Sequence, residues 1–316
     1  MKIAFLGTPD FAVPPLDALA RAGHAVVCVV AQPDRPAGRG RALHEPATKI
    51  WAHRHGVPVL QPEKVRDGRL AADLAAFTPD ILVVVAYGRI LGEDLLELAP
   101  FGAVNVHASL LPRWRGAAPI QWALAESDAE TGVTVMQIDP GLDTGDILLQ
   151  RPAPSRADDT AETLGERLAT LGAGAIAEAL PLLAAGRITP VRQDPSRATL
   201  ARILTKEDGR LDFRLPAPSL GARIRAFTPW PGAFTTMGGK LLKVHRAEPI
   251  AYAGGAAPGR TLRTGDHWDV ACGEGTALRL VEVQLEGRRR MSAGEVLRGL
   301  PHPDVVLGVE AAAQPG

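Results

Sequence analysis

Asn105 and His107 stand two residues apart in the run Asn105-Val106-His107-Ala108-Ser109-Leu110-Leu111-Pro112. On a strand, that spacing puts both side chains on one face. The strand must break by Pro112. A second stretch, Asp139-Pro140-Gly141-Leu142-Asp143-Thr144-Gly145-Asp146, holds two glycines and three acids in a loop after a strand-like run at 132–138. A carboxylate from that loop can reach His107. An amide, an imidazole and a carboxylate together suit acyl transfer to an amine. The imidazole accepts the amine's proton near neutral pH. The amide donates a hydrogen bond to the oxyanion that forms at the acyl carbon. The carboxylate fixes the imidazole tautomer and stabilises its charged form. Each residue also has a structural reading. Asn105 can cap a turn, His107 can be a satisfied core histidine, and Asp143 or Asp146 can bond its own backbone. The loop lacks the ligand spacing and terminal Glu of an EF hand, and no other ligand spacing calls for a metal.

Alternating strands and helices must position these residues. Ile3-Ala4-Phe5-Leu6, residues 25–30 and Ile81-Leu82-Val83-Val84-Val85-Ala86 are apolar on both faces, as a buried parallel sheet requires. Residues 16–22 read as a helix stopped by Gly23. A longer helix is expected over 160–185. This alternation argues for right-handed βαβ units in a Rossmann-like α/β domain. In such sheets, ligands bind beyond the carboxyl ends of the strands, where Asn105 and His107 would lie. The first turn, Gly7-Thr8-Pro9-Asp10-Phe11, has one glycine and a proline. It therefore lacks the G-x-G-x-x-G fingerprint, and NAD binding is disfavoured. After residue 207, short strand candidates at 233–237, 241–245, 268–272 and 277–283 suggest a small β-barrel. The tail, 308–316, is expected to fray.

The 316 residues exceed what one core usually holds, so two domains are expected. Charge is balanced, with 35 basic and 35 acidic residues, and no global field advertises nucleic acid. Locally, residues 187–206 carry a net charge of +4 and read as a basic linker. Cys28 and Cys272 are too few for a disulfide or zinc framework, which fits a reducing, cytoplasmic setting. No apolar run looks long enough to span a membrane, and the N-terminus has no signal-peptide pattern.

The run from Asn105 to Pro112, continued by Arg113-Trp114-Arg115-Gly116, resembles the signature of the formyltetrahydrofolate-dependent formyltransferases. Gly141-Leu142-Asp143-Thr144-Gly145 is similar to its companion loop. Phe5 to Ala12, Gln32 to Gly40 and Phe227-Thr228-Pro229-Trp230-Pro231 extend the likeness over nearly the whole chain. The resemblance implies a catalytic trio of Asn105, His107 and Asp143, with a folate-lining loop formed by Ser109, Leu110, Leu111 and Pro112. It also implies a formyltransferase domain (1–186), the basic linker (187–206) and a C-terminal OB-type barrel that binds tRNA (207–316). The expected reaction moves the formyl group of 10-formyltetrahydrofolate to methionyl-initiator tRNA in translation initiation. A formyltransferase acting on a small amine, such as an amino-sugar nucleotide, is the alternative. The expected protein is a cytoplasmic monomer without membrane contact or metal.

Under that resemblance, the insert carrying Arg35, Arg39 and Arg41 among flexible glycines suits phosphate contacts. The matching loop in the family wedges into the acceptor end of initiator tRNA, and Arg39 is expected to touch it. The basic linker, ending at Lys206, would track the tRNA backbone without reading bases. Arg288-Arg289-Arg290 is a further candidate patch or an exposed hairpin turn. Phe227 and Trp230 are expected to pack the domain junction rather than stack on bases.

Overall fold

A computed structural model describes residues 1–37, 42–300 and 304–308. Arg39, Arg41 and the tail beyond residue 308 lie outside the described residues. The chain forms two units: Met1–Pro119 with Glu130–Pro154 and Leu164–Arg202, and Ile120–Ala129 with Ser155–Thr163 and Ile203–Gly316.

In chain order the elements up to residue 202 are β1 (Lys2–Gly7), α1 (Val13–Arg21), β2 (Ala25–Val30), β3 (Arg35–Ala37), β4 (Ala42–His44), α2 (Ala47–Arg54), β5 (Val59–Leu60), α3 (Arg69–Ala75), β6 (Ile81–Val85), α4 (Glu93–Leu96), β7 (Ala103–His107), β8 (Arg115–Gly116), α5 (Pro119–Ala125), β9 (Glu130–Gln137), β10 (Ile147–Pro154), α6 (Ala161–Ala184) and β11 (Leu200–Ala201). Seven of these strands make one sheet in the order β10-β9-β7-β6-β1-β2-β5. The five from β7 to β5 are parallel, as the doubly apolar runs predict. The sheet is nonetheless mixed, because β9 runs antiparallel to both its neighbours, β7 and β10. The loop after β7 doubles back over β9, where Thr134 Oγ1 donates to Ser109 O (2.7 Å) and receives Leu111 N–H (3.1 Å). The next strand therefore enters from the opposite end.

β7 shows how the sheet aims its polar residues. Ala103 packs in a cluster with Leu82, Val84, Leu70, Leu74 and Leu95, which places α3 and α4 on that face. Strand alternation puts Asn105 and His107 on the same face, further toward the strand's carboxyl end. Val106 faces the other way, onto α6. That helix comes so close at Gly172 that a Cβ there would lie 2.9 Å from Val106 Cγ1. α6 is long and apolar enough to cross a membrane by length and composition, which the sequence reading did not anticipate. Its Leu164, Leu168, Ile176, Ala179 and Leu180 are buried, so its apolar face is occupied within the protein.

The second unit contains α7 (Ala217–Ala226), β12 (Ala233–Met237), β13 (Lys240–Ile250), β14 (Thr261–Thr264), β15 (His267–Ala271), β16 (Ala277–Leu285), β17 (Met291–Ser292) and α8 (Ala293–Gly299). The strands pair antiparallel in the order β12-β13-β16-β15-β14, with β17 added to β16. Leu307 bridges to Met237 and Val306 bridges to Arg260, so one short segment touches both edges of the sheet. Trp268, Leu242, Val244, Leu278, Leu220 and Ile224 fill the core. Phe227 is buried edge-on to Trp122, with ring centroids 6.0 Å apart. Trp230, expected to pack, is 56% exposed, beyond the end of α7 at Ala226.

Asp269 and Arg279 face each other across β15 and β16. Two parallel bonds, Nε to Oδ1 (2.8 Å) and Nη2 to Oδ2 (3.0 Å), join them. The carboxylate is buried and the guanidinium is about a quarter exposed. Asp269→Ala strands that cation. The expected cost is about 2–3 kcal/mol, less than for a fully buried pair because water still reaches Arg279. Urea unfolding will measure it, and Asp269→Leu combined with Arg279→Met should cost less than Asp269→Ala alone.

Candidate active site

The carboxyl end of β7, the loop after it and the loop after β9 converge. His107 is 6% exposed. Its Nε2–H donates to Trp114 O (2.8 Å), and its Nδ1 lies 3.7 Å from Asp143 Oδ2. Two residues from distant stretches are thus brought together as the sequence reading required. The tautomer is fixed differently. A carbonyl accepts only from N–H, so Trp114 O sets the proton on Nε2 and leaves Nδ1 as the basic nitrogen. Asp143 faces that nitrogen and is placed to stabilise the protonated ring. Its carboxylate is itself held, because Gly116 N–H donates to Oδ2 (2.8 Å). Asn105 is half-buried one pleat back on β7, opposite Val84 of β6 and Met136 of β9.

Trp114 and Asp143 both take left-handed backbone angles, φ 63° and φ 51°. Aspartate tolerates this region, and a tryptophan rarely enters it without support. The support comes from residues 187–202, expected as linker. Thr199 Oγ1 receives Trp114 N–H (2.9 Å), Thr199 O receives Arg115 N–H (2.9 Å), and β11 pairs with β8. Gln193, buried at 5% exposure, reaches the other strained residue. Its Nε2 donates to Asp143 O (2.9 Å) and Gly145 O (2.8 Å), and its Oε1 accepts from Arg115 Nε (3.0 Å) and Nη2 (2.7 Å). Sequence reasoning missed Gln193, since nothing in a polar, arginine-rich stretch distinguishes a bracing amide from a solvated one.

Gly145 sits where the loop presses on β9. A Cβ there would overlap Gln137 O. Gly145→Ala must move the loop by about an ångström, and displacement on that scale costs on the order of 10²-fold in rate. Comparing kcat of this variant with wild type, alongside melting curves, checks the expectation.

The expected cofactor-binding residues divide by role. Ser109 is fully buried and its Oγ donates to Arg113 O (2.6 Å). Leu111 is buried and its carbonyl accepts from Gln150 Nε2 (2.9 Å). Both hold the loop's shape. Leu110 and Pro112 are half-buried and remain available to a ligand. A cavity of about 380 Å³ is lined by Arg66, Leu91, Gly92, Glu93, Asp94, Leu96 and Pro140, joining the loop after β6 to the Asp143 loop. Ile90 and Leu142, next to its lining residues, are more than half exposed. A second cavity, about 430 Å³, opens at the ends of β1, β2 and β6 and is lined by Thr8, Gln32, Arg35, His44 and Tyr87 among others. Burial pushes the Tyr87 phenol up to about 12. Among the described residues no group of His, Cys, Asp and Glu has the makings of a metal site.

Of the candidate tRNA contacts, Arg35 is exposed and donates to Gln32 Oε1 (3.0 Å). Lys206 is exposed in the second unit. In the Arg288–Arg290 patch, Arg290 pairs with Glu282 and Arg289 approaches Glu295 (3.9 Å), which reduces its free positive charge. The patch lies on the turn between β16 and β17.

A family profile described as formyl transferase matches residues 1–180, and another, formyl transferase C-terminal domain, matches residues 203–301. A methionyl-tRNA formyltransferase of Anaeromyxobacter dehalogenans (strain 2CP-C) is 66% identical over 98% of this chain and 100% of its own length. One from Myxococcus xanthus is 52% identical over 94% of this chain and 95% of its own. Among solved structures, an N-formyltransferase from Helicobacter canadensis, in complex with folinic acid and dTDP-3-aminofucose, matches with a TM-score of 0.67. It is 16% identical and covers 89% of this chain and 98% of that one, a likeness of fold.

Proposed function

The chain belongs to the formyl transferase family, and from that premise we propose that Asn105, His107 and Asp143 carry a formyl transfer from 10-formyltetrahydrofolate to the free amino group of methionyl-initiator tRNA. It is a one-carbon group transferase, and the product is formylmethionyl-tRNA for translation initiation. The observation that carries the site assignment is the approach of His107 Nδ1 to Asp143 Oδ2 at 3.7 Å, at the carboxyl end of a sheet strand.

The folate supplies an activated formyl carbon. The chain's own residues do the rest. The amine attacks that carbon and loses a proton to His107 Nδ1, which is basic because Trp114 O holds the other nitrogen protonated. Asp143 Oδ2 then faces an imidazolium rather than a neutral ring, a charge pair strengthened by burial. Asn105 donates its amide to the developing oxyanion. When the adduct collapses, the bond to the folate nitrogen breaks, and the imidazolium can return its proton to that leaving nitrogen. Ile90 and Leu142, exposed near the lining of the 380 Å³ cavity, offer apolar surface suited to a flat heteroaromatic ring, and Leu110 and Pro112 offer more on the loop after β7.

For the macromolecular substrate, Arg35, Arg39, Arg41 and Lys206 are our candidate phosphate contacts. We read the second unit's sheet as an OB-type barrel, supported by the reach of residues 306–307 to both sheet edges. The working state we propose is a cytoplasmic monomer without a required metal. The deciding assay supplies charged initiator tRNA and 10-formyltetrahydrofolate and follows formylmethionine. Formylation of dTDP-amino-sugar with none of methionyl-tRNA would replace this reading with the small-amine one.

A further inference from the structure

We infer that Gln193 is a positioning residue for the reaction: its side-chain amide holds the Asp143 carboxylate at His107 by clamping the left-handed turn from residue 143 to 145 onto Arg115. This rests on the reading of Asp143 as the reacting carboxylate. All four hydrogen-bonding positions of the amide are engaged, two donors on the carbonyls of Asp143 and Gly145 and two accepted bonds from one guanidinium. Side chain and partner are both buried, Gln193 at 5% and Arg115 at 9%, where such bonds are strong and a missing one is costly. The clamp spans the site. Arg115 adjoins Gly116, whose N–H grips Asp143 Oδ2 from the front, while Gln193 grips the same residue's carbonyl from behind. An aspartate at φ 51° has a more comfortable backbone basin to relax into. Relaxing there would swing the carboxylate away from Nδ1.

The amide's polarity makes the claim specific. Arg115 needs an acceptor and the two carbonyls need donors, so only a group with both faces satisfies the arrangement. Gln193→Glu keeps size and shape and strengthens the Arg115 side, yet it turns a lone-pair-bearing oxygen toward two carbonyl oxygens. It therefore releases the loop without emptying the core.

The experiment compares wild type, Gln193→Glu and Asp143→Asn in steady-state formyl transfer to methionyl-initiator tRNA, with melting curves and hydrogen–deuterium exchange. Gln193→Glu should lower kcat roughly 10²-fold with KM for tRNA and folate little changed. Exchange should rise in residues 139–146 and stay as in wild type in β7. The ratio of variant to wild-type activity should climb as pH falls, because the introduced carboxyl regains a donor once protonated. A kcat within about threefold of wild type, a loss confined to KM, or loss of cooperative melting would each overturn the inference, the last marking Gln193 as a core residue only. An inactive Asp143→Asn beside a fully active Gln193→Glu would sink this inference alone. An active Asp143→Asn would sink the assignment beneath it.

Discussion

His107→Ala will lower kcat for formyl transfer by roughly 10³- to 10⁴-fold, at the upper end of what one general base contributes. Two losses combine. The amine's proton has no acceptor at Nδ1, and Asp143 loses the cation that its charge would stabilise. A structural cost accompanies them, because Trp114 O gives up the bond from Nε2 at a buried position. An unsatisfied carbonyl there costs about 1–3 kcal/mol of stability. His107→Gln separates the two effects. Its amide can donate to Trp114 O in place of Nε2, and it cannot take up a proton at the required position. It should melt closer to wild type than His107→Ala and remain nearly as slow. Single-turnover formylation with saturating folate, alongside thermal melts, reads both quantities. A His107→Gln enzyme with substantial activity would move the base elsewhere in the site.

The candidate trio was legible because its signals are local. Asn105 and His107 share a strand whose register no neighbour can shift without burying both on the wrong face. Asp143 lies in a loop rich in glycine and acids directly after a strand. The parallel core was equally plain from runs such as residues 81–85, buried on both faces. Other elements hid for definite reasons. The sequence reading assigns no element at β10; it carries Pro152 and Pro154, tolerated because β10 is an edge strand. α1 begins three residues before its expected start because Pro14 and Pro15 occupy its first turn, where a missing N–H costs nothing. β13 runs eleven residues through two register shifts, which break the alternation a pattern search relies on.

The supports of the site were the least visible part. Gln193, Thr199 and Arg115 act through hydrogen bonds to atoms up to 85 residues away in the chain. The segments around them carry no apolar periodicity. A net positive stretch read as a solvated connector, and its exposed arginines at 187, 192 and 197 do face water. The same stretch turns one glutamine inward. Charge patterning reports on the solvated residues and is silent about the buried one between them. Cys28 and Cys272 are buried free thiols, and burial pushes both up to about 12.

Asn105 offers the sharpest separation of electrostatics from packing. Asn105→Ala removes the oxyanion's donor and should lower kcat on the order of 10²- to 10³-fold, equivalent to about 2.7–4 kcal/mol of barrier. Binding of either substrate should change little, since the oxyanion exists only in the transition state. Asn105→Asp keeps the shape of the side chain and exchanges the donating N–H₂ for a second acceptor. The position is half-buried between β6 and β9, so a carboxylate there is weakly screened and repels the oxyanion. It also adds a second negative charge near His107, which favours the imidazolium before the amine arrives and so removes the free base. Asn105→Asp should therefore fall below Asn105→Ala, in whose vacated space a water molecule can donate in part. Measured at one pH with both substrates saturating, the order wild type, then Ala, then Asp follows from charge. The reverse order for the two variants would mean that Asn105 acts by filling space, and the oxyanion would need another donor.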